Sequence, residues 1–371
     1  MRFPGFTNEW KETTIGECTE RLSNGLTYDT TVSQGLKVCR IETIHNKSID
    51  YQRVGFYNGS KNKVRDYFMK TGDILFSHIN SLPHIGKTAI YGGEEPLIHG
   101  MNLLLIRSKS TINPYYLYYL LNTNKVLRRC QIIAKPAVNQ ASISINDLKG
   151  TPIHICDRSE QEKIAHLLWL IDEQIATQNK IIEDLKKLKS AIYDKVFQPI
   201  NGERLPLGDL ADIIKGQQVN GEFLTEDGDY YVMNGGVEPS GYYHDFNTSA
   251  NTISLSEGGN SCGYVQWNSN PFWSGGHCYT LDIKDSSIDN KYLYHFLKWR
   301  EADIMKLRIG SGLPNIQKKD LAKVIIEAPR YSRQTMIVRI LDAYDSKIEN
   351  EMSVLELYQC QKLFLLSQMF I

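Results

Sequence analysis

The sequence has few cysteines and no long apolar run, and both shortages exclude classes of protein. Its 7 cysteines form no CxxC pair and no other zinc-type spacing, so we expect reduced packing residues. Apolar stretches such as 103–106 and 324–326 are far shorter than the roughly 20 residues of a membrane helix. The first residues show no apolar run followed by a small-residue cleavage site. We therefore expect a soluble, cytoplasmic protein.

The chain also has no excess of charge, because 42 Lys and Arg residues balance 42 Asp and Glu residues. This balance argues against a protein held to nucleic acid mainly by bulk positive charge, although basic residues can still cluster locally. At 371 residues the chain is too long for one hydrophobic core, and with 42% hydrophobic residues it is too apolar for disorder. We expect two or three domains.

Nucleotide-binding and catalytic motifs are incomplete. Segment 81–88 ends in the GKT of a phosphate-binding loop, but Ser81 occupies the place of its first glycine. The NPYY sequence at 113–116 resembles the tetrapeptide with which amino-methyltransferases hold a target base. It lacks the second proline, and no glycine-rich cofactor loop precedes it, so a helix cap is the better interpretation. No Pro-Asp dipeptide, the usual start of a nuclease metal site, occurs in the sequence.

The histidines suggest no catalytic or metal centre. His277 and Cys278 are neighbours, but adjacent residues of a strand point to opposite faces and cannot act together. The other histidines have no partner at ligand spacing. We predict no catalytic residue, no metal site and no cofactor bound by this chain.

The second half of the chain repeats the first. Many residues of the first half recur as the same residue type 173 positions later, with no gap in the alignment. They are Ile143, Asp147, Leu148, Ile153, Ser159, Gln161, Ile164, Leu168, Asp172, Ile175, Glu183, Lys189 and Phe197. Farther upstream the offset is 176, at which 116–118 match 292–294 and Gly100 matches Gly276. The order is therefore a globular unit and a long helix, written twice.

Apolar residues at heptad spacing predict that the two helices bury their stripes on each other as an antiparallel pair. The predicted helix-pairing residues are Ile164, Leu168, Ile171, Ile175, Ile182, Leu185, Ile337, Leu341, Tyr344, Ile348, Leu355 and Tyr358. We assign residues 1–155 and 199–330 to two globular domains and residues 156–198 and 331–371 to two spacer helices. Each helix would be about 58 Å long at 1.5 Å per residue.

The globular domains have a mixed pattern. Short apolar runs at 72–76, 101–107 and 252–256 lie between turn residues and predict strands. A short helix is expected near the end of each domain, at 115–129 and 289–298. The predicted fold class is α+β, with two repeated mixed domains separated by two long helices that pair as an antiparallel coiled coil.

Both domains place basic residues before a loop of small and polar residues, 137–144 in the first and 310–315 in the second. This combination suits phosphate contact beside base reading by Asn, Gln and Ser, and solvated surface charge is the alternative interpretation. The candidate DNA-binding residues are Asn80, Lys87, Arg128, Arg129, Lys135, Asn139, Gln140, Gln217, Asn260, Lys306, Arg308, Ser311 and Asn315.

Several segments carry a family resemblance. They are Arg2-Phe3-Pro4-Gly5-Phe6 with Trp10 and Ile15-Gly16, the segments 231–242 and 257–264, Pro271-Phe272-Trp273, and His277-Cys278. Together with the duplicated helices, these segments resemble the specificity subunits of type I restriction-modification systems. The resemblance extends over essentially the whole chain.

The resemblance implies a non-catalytic DNA-reading subunit with two target-recognition domains, each reading one half of a split, asymmetric DNA site. The helices would set the distance between the halves and dock two methyltransferase subunits, with restriction and translocase subunits joining outside. S-adenosylmethionine, ATP and Mg would then belong to the partner subunits. Base-contacting positions vary freely in this family and cannot be transferred.

Two other classes remain alternatives at this point. A self-contained methyltransferase or nuclease would need the cofactor loop and catalytic tetrapeptide that the sequence lacks. A coiled-coil scaffold that binds only protein would leave the paired basic and polar loops without a role. DNA binding with and without methyltransferase partners would separate these classes.

Overall fold

The structure is a computed structural model that describes residues 2–3, 5–137, 140–198, 201–310, 312 and 314–370. The chain divides into two compact units. Unit 1 comprises Met1–Asn179 and Val354–Ile371, and unit 2 comprises Lys180–Ser353. Each unit therefore contains one globular part and a portion of each long helix.

Unit 1 contains thirteen short strands and four short helices among its described residues. The strands are β1 (Lys11–Thr14), β2 (Thr19–Asn24), β3 (Leu36–Val38), β4 (Ile44–His45), β5 (Ser48–Ile49), β6 (Gly55–Tyr57), β7 (Ile74–Phe76), β8 (Ile79–Asn80), β9 (Thr88–Ile90), β10 (Leu104–Ser108), β11 (Lys135–Ala137), β12 (Gln140–Ser142) and β13 (Pro152–Ile155). The helices are α1 (Ile15–Cys18), α2 (Pro114–Leu121), α3 (Asn124–Ile133) and α4 (Ile145–Lys149). Short 3₁₀ turns lie at Ile41–Thr43, Lys61–Tyr67 and Leu82–His84.

An antiparallel four-stranded sheet in the order β2-β10-β7-β9 forms the centre of unit 1. Both faces of the sheet are buried, because alternate residues of β7 point to different clusters. Ile74 and Phe76 pack with α2, α3 and the ends of the long helices, while Leu75 packs with Leu105 on the opposite face. Two further sheets belong to unit 1: β1 pairs with β13, and β12 lies between β11 and β8.

The long helix α5 (Arg158–Phe197) leads from unit 1 into unit 2, and α10 (Tyr331–Met369) leads back. The remaining elements of unit 2 are β14 (Glu203–Pro206), α6 (Leu207–Leu210), β15 (Ala211–Lys215), β16 (Tyr230–Met233), β17 (Tyr242–Tyr243), β18 (Thr252–Ser256), β19 (Val265–Asn268), β20 (Trp273–Ser274), β21 (Cys278–Ile283), α7 (Asn290–Trp299), α8 (Glu301–Met305), α9 (Lys318–Leu321) and β22 (Ile325–Ala328). A 3₁₀ turn lies at Gly221–Phe223.

Unit 2 repeats the plan of unit 1. Its antiparallel sheet has the order β15-β21-β18-β19, and β14 pairs with β22 as β1 pairs with β13. A second sheet, β17-β16-β20, contains one parallel pair, β16 with β20. The duplication read from the sequence is therefore a duplication of the fold.

The same side-chain contact fixes the short helix of each unit to a long helix. In unit 1, the Gln161 Oε1 atom accepts a hydrogen bond of 2.9 Å from the backbone N–H of Asn113, the N-cap of α2. In unit 2, the Gln334 Oε1 atom accepts one of 2.8 Å from the N–H of Asp289, the N-cap of α7. Both glutamines are buried, so this polar contact orients each long helix against its own globular part.

The long helices pair within each unit. Asp172 of α5 forms an ion pair with Lys362 of α10 in unit 1, and Lys189 of α5 forms one with Asp345 of α10 in unit 2. Moving forward along α5 thus moves backward along α10, which is the predicted antiparallel arrangement. The twelve predicted pairing residues are all buried or half-buried, and their individual contacts across the pair stay predictions.

One helix differs from its predicted bounds. The single helix expected at 115–129 is two helices, α2 and α3, with a break at Asn122 and Thr123. The Asn122 side chain donates to the Thr88 hydroxyl at 2.6 Å, and the Thr123 hydroxyl accepts from the Val126 N–H at the start of α3. Two polar side chains that bond to other groups therefore end one helix and start the next. Of the seven free cysteines, six are buried and Cys360 is exposed.

Candidate nucleic-acid interface

In unit 1, a small three-stranded sheet collects several of the predicted DNA-binding residues. Lys135 and Gln140 lie on the β11–β12 hairpin and are exposed, and Asn80 of β8 lies opposite Ala141. The Asn80 amide is already used inside the loop, where Nδ2 donates to Ser77 Oγ at 3.1 Å and Oδ1 accepts from the Ser81 N–H at 2.8 Å. Asn80 therefore shapes the surface, while Lys135 and Gln140 face solvent. Asn139 lies outside the described residues.

Unit 2 has a corresponding loop. Ile309 and Asn315 bond to each other through backbone contacts of 2.8 and 3.0 Å, and Asn315 also bridges to Gly258. The Asn260 side chain is therefore on a segment next to the 309–315 loop, and both Asn260 and Asn315 are exposed. Ser311 lies outside the described residues. Asn315 of this loop and Asn260 of the neighbouring segment present two amide side chains that can both donate to and accept from base edges.

The predicted basic residues belong to several different elements of the fold. Lys306 and Arg308 are exposed just before the 309–315 loop, although Lys306 pairs with Asp303 at 2.8 Å. Lys87 is exposed at the start of β9. Arg128 and Arg129 instead line an apolar groove of unit 1, beside Ile132. The DNA-binding role of all these basic residues stays a prediction.

A contact between glycines joins several loops of unit 2. A Cβ atom on Gly216 would lie 2.3 Å from the carbonyl oxygen of Gly275, so only glycine allows this approach. The Asn234 Oδ1 atom accepts a hydrogen bond of 3.1 Å from the His277 N–H, and Gly235 lies against His277 and Gly258. Segments 216–218, 234–236, 257–260 and 274–277 thus meet, and we name them the glycine loop cluster of unit 2.

The exposed face of this cluster is polar. Gln217, Gln218, Asn260 and His277 are exposed. Gln217 is held by its backbone, since its N–H donates to the Ser274 carbonyl and its carbonyl accepts from the Trp273 indole, both at 2.8 Å. The Gln217 side chain is left for an outside partner.

The buried base of the cluster is charged. The Glu257 carboxylate contacts Lys215 Nζ at 2.6 Å, His277 Nδ1 at 3.6 Å and the Tyr279 hydroxyl at 3.3 Å. Only 10% of the Glu257 side chain is exposed, so it anchors Lys215 and His277 rather than meeting a ligand itself. Sequence reasoning missed this anchor because Lys215 and the pair His277 and Tyr279 lie in segments far from each other in the sequence.

Unit 1 has a glycine loop cluster of its own, formed by segments 24–26, 38–40 and 98–102. A Cβ atom on Gly25 would lie 2.0 Å from the Gly100 carbonyl oxygen, and one on Gly100 would lie 2.0 Å from the Cys39 carbonyl oxygen. Leu26 and Gly100 also form a bridge. Gly100 matches Gly276 in the repeat, and that match is the sequence feature that could have revealed both clusters.

One group of residues in the described part of the chain could hold a cation. His295, Asp342 and Asp345 place their ligand atoms within 4.8 Å of one another in unit 2. Both carboxylates already have ammonium partners, because Asp342 contacts Lys291 at 3.4 Å and Asp345 pairs with Lys189. This arrangement is an ion-pair network rather than a vacant metal centre.

His295 lies at the centre of that network and is fully buried. Its Nε2 atom lies 2.9 Å from Asp342 Oδ1, and its Nδ1 atom lies 2.9 Å from the Tyr193 hydroxyl. Burial lowers the pKa of His295, and the hydrogen bond to Asp342 opposes this only partly. Burial by itself would raise the pKa of Asp342, but the contacts with His295 and Lys291 outweigh it and lower that pKa.

The duplicated architecture with its two loop clusters can be compared with known proteins. A model of the type I restriction modification DNA specificity domain matches residues 7–187 and 199–356. The chain belongs to this family. The MjaX type I restriction enzyme specificity subunit of Methanocaldococcus jannaschii is 32% identical over 383 aligned residues, which cover 92% of this chain and 88% of that protein. The S.MgeORF438P specificity subunit of Mycoplasma genitalium is 34% identical over 185 residues, 48% of each chain.

Solved structures of type I systems share the fold. The S subunit from M. genitalium superposes with a TM-score of 0.68 at 19% identity and covers 98% of this chain and 96% of that chain. A chain from a study of complex assembly and conformational transition in a type I restriction-modification system superposes with a TM-score of 0.58 at 16% identity and covers 99% and 98%.

Membership confirms the predicted family and its role in DNA sequence specificity, a recognition role that is not itself enzymatic. It also confirms the predicted α+β architecture of two recognition domains with long helices. Among the residues that the structure describes, no helix has the length and apolar character needed to cross a membrane.

Proposed function

We propose that unit 1 and unit 2 each read one half of a split, asymmetric DNA site. The observation that carries this proposal is the duplication of the loop surface. Each unit has its own glycine loop cluster and its own polar loop, built on the same sheet order. Because the exposed side chains differ between the units, the two half-sites would differ in sequence.

The chemistry of the exposed side chains suits base reading. Gln140 in unit 1 and Gln217, Asn260 and Asn315 in unit 2 carry amides, which can pair with two edge atoms of one base. Lys87, Lys135, Lys306 and Arg308 would contact phosphates, which position the protein without reading sequence. Asn139 and Ser311 remain in this proposed set as loop residues.

The long helices would set the spacing and dock partner subunits. Large apolar side chains are exposed on them in both units, including Trp169 and Leu170 in unit 1 and Met336 and Ile340 in unit 2, with exposures of 39–56%. Such exposure on a helix that already buries its other face indicates a surface for another protein. We propose that two methyltransferase subunits bind here and that restriction and translocase subunits join the complex.

The chemistry of modification and cleavage would then reside in those partners. S-adenosylmethionine would be bound by the methyltransferase subunits, and ATP and Mg by the restriction and translocase subunits. A role on genomic DNA also supports a cytoplasmic location.

Paired substitutions in one unit test the proposal. In the assembled methyltransferase complex, Asn260→Ala with Asn315→Ala should relax recognition at the half-site read by unit 2 and leave the other half unchanged. Each lost bidentate contact should cost about 1–3 kcal/mol of discrimination. The matched control is Asn201→Ala with Asn270→Ala, two exposed amides of unit 2 outside the loop cluster. Relaxation spread over both half-sites, or no relaxation at all, would refute the assignment.

A further inference from the structure

An apolar groove lies in unit 1 between α3, β13 and the end of α10. Its volume is about 610 Å³, within the range of small-molecule and side-chain binding pockets. Ile132 at its edge is 72% exposed, although it is a large apolar residue. The apolar lining residues are Leu120, Val126, Ile132, Ile153, Leu366 and Phe370.

The repeat shows what this groove lacks. In unit 2, the Trp299 ring stacks on Phe197 with centroids 5.3 Å apart, and its indole N–H donates to Asp194 Oδ1 at 2.9 Å. Phe197 is consequently buried, with 1% of its surface exposed. The corresponding groove of unit 2, lined by Ile304 and Ile325, has a volume of only about 290 Å³.

Unit 1 has small residues at the matching positions. Thr123 stands where the repeat has Trp299, and Ser367 stands where it has Asp194. Phe370, the counterpart of Phe197, packs against Tyr116 with centroids 5.4 Å apart but remains half-buried. Trp10 also packs against Phe370, with ring centroids 6.3 Å apart, but Trp10 does not line the groove. The groove of unit 1 therefore lacks a ring at the place that Trp299 fills in unit 2.

The charges at the groove are of one sign. Arg128 and Arg129 line it, and no described lining residue is acidic. Neither Arg128 nor Arg129 forms an ion pair within the part of the chain that the structure describes. In unit 2, by contrast, Asp303 and Glu327 line the corresponding groove together with two arginines. The groove of unit 1 thus favours an anionic occupant.

We propose that the groove of unit 1 binds an aromatic side chain carried by an acidic segment of a partner protein. The aromatic ring would stack on Phe370 in the space that Trp299 fills in unit 2, and carboxylates beside it would pair with Arg128 and Arg129. A DNA base is a poorer occupant, because it would have to leave its stack at a cost of a few kcal/mol. This inference goes beyond the proposed function and assigns the two arginines to protein docking.

A labelled peptide tests the proposal on the full chain. The probe is fluorescein-labelled Asp-Glu-Trp-Glu-Asp, and binding is measured by fluorescence anisotropy. Replacing the peptide's Trp with Ala should weaken binding at least about tenfold, a change of about 1.4 kcal/mol. Thr123→Trp, which copies unit 2, should fill the groove and weaken binding by a similar factor. Arg128→Gln with Arg129→Gln should also weaken binding and reduce its dependence on salt.

Matched variants control for folding and for general charge. Ile132→Glu changes only an exposed side chain, so it should fold normally and repel the acidic peptide even if Thr123→Trp is poorly folded. Lys63→Gln with Arg65→Gln removes two exposed charges elsewhere in unit 1 and should leave binding unchanged.

Three results would overturn the proposal. The first is that the peptide does not bind at millimolar concentration. The second is that the Trp and Ala peptides bind equally well. The third is that random duplex DNA displaces the peptide and that this displacement requires Arg128 and Arg129. The last result would show that this face meets nucleic acid. None of these measurements depends on sequence reading by the loop clusters, so failure here would leave the proposed function standing.

Discussion

The Lys362 ammonium group contacts the Asp172 carboxylate where α10 meets α5 in unit 1. Asp172 also accepts a hydrogen bond of 2.8 Å from the Tyr119 hydroxyl, so the carboxylate joins both long helices to α2. The pair recurs in unit 2 as Lys189 and Asp345, with each residue on the opposite helix. The two long helices are thus joined to each other in each unit by one ion pair of reciprocal charge.

This relationship predicts a charge-specific loss of stability. Asp172→Asn should destabilise unit 1 by about 1–3 kcal/mol, because Lys362 is largely buried and would lose its anionic partner. The double variant Asp172→Lys with Lys362→Asp should recover part of that loss. Calorimetric unfolding measures both. The control is Glu183→Gln, which breaks an exposed ion pair with Lys187 on α5 and should not change the stability measurably. A loss of stability in this control as large as that of Asp172→Asn would contradict the account.

Buried histidines predict acid sensitivity of unit 1. Burial lowers the pKa of both His78 and His99 from 6.5 to about 4. The unfolded chain therefore binds more protons than the folded chain below pH 6.5. Their contribution to stability is fully present above that pH and is lost as the pH falls towards 4.

The His99→Gln variant should show a shallower fall of the unfolding temperature between pH 6.5 and 4 than the unaltered chain. The His99 Nε2–H donates to the Leu103 carbonyl at 3.0 Å, and the glutamine amide can keep that bond. His45→Gln, at an exposed histidine, should leave the slope unchanged. Identical slopes for all three proteins would exclude His99 as a source of the acid sensitivity.

The glycine loop cluster of unit 2 predicts a local steric effect. Gly216→Ala would place a methyl group 2.3 Å from the Gly275 carbonyl oxygen, so the backbone at one of these two residues must move. We expect a stability loss of about 1–3 kcal/mol and weaker recognition at one half-site only. Gly221→Ala is the matched control, since nothing lies within 4 Å of its Cβ position. The stability of each variant and the methylation of each half-site should both be measured. A Gly216→Ala variant with unchanged stability and unchanged methylation would count against the role of this contact.

Sequence reasoning located the elements that depend on period and repetition. The two long helices, the duplicated plan and the antiparallel pairing follow from heptad spacing and matched residues, which can be read along the sequence. The loop clusters cannot be predicted in this way, because the contact of Gly216 with Gly275 joins segments that are far apart in the sequence. The apolar groove that Arg128 and Arg129 line was likewise not predicted, because separate segments form it, and the DNA-binding role of the two arginines stays a prediction.

Helix length predicts the spacing between half-sites. Inserting one heptad into α5 after Asn179 and one into α10 after Ser353 keeps the apolar stripe in phase and lengthens each helix by about 10 Å. The unread spacer of the DNA site should grow by about three base pairs, at about 3.4 Å per pair, while both half-sites stay unchanged. Methylation sequencing measures the spacer, and an unchanged spacer length would show that the helices do not set it.

The most direct test of the central claim is a methylation map of a chimera. Residues 1–155 are replaced by the same region of a relative with a different recognised site, and the complex is assembled with its methyltransferase subunits. The account predicts that one half of the methylated site changes to the relative's sequence while the other half and the spacer persist. A simultaneous change of both halves, or recovery of a single continuous motif, would contradict two independent readers.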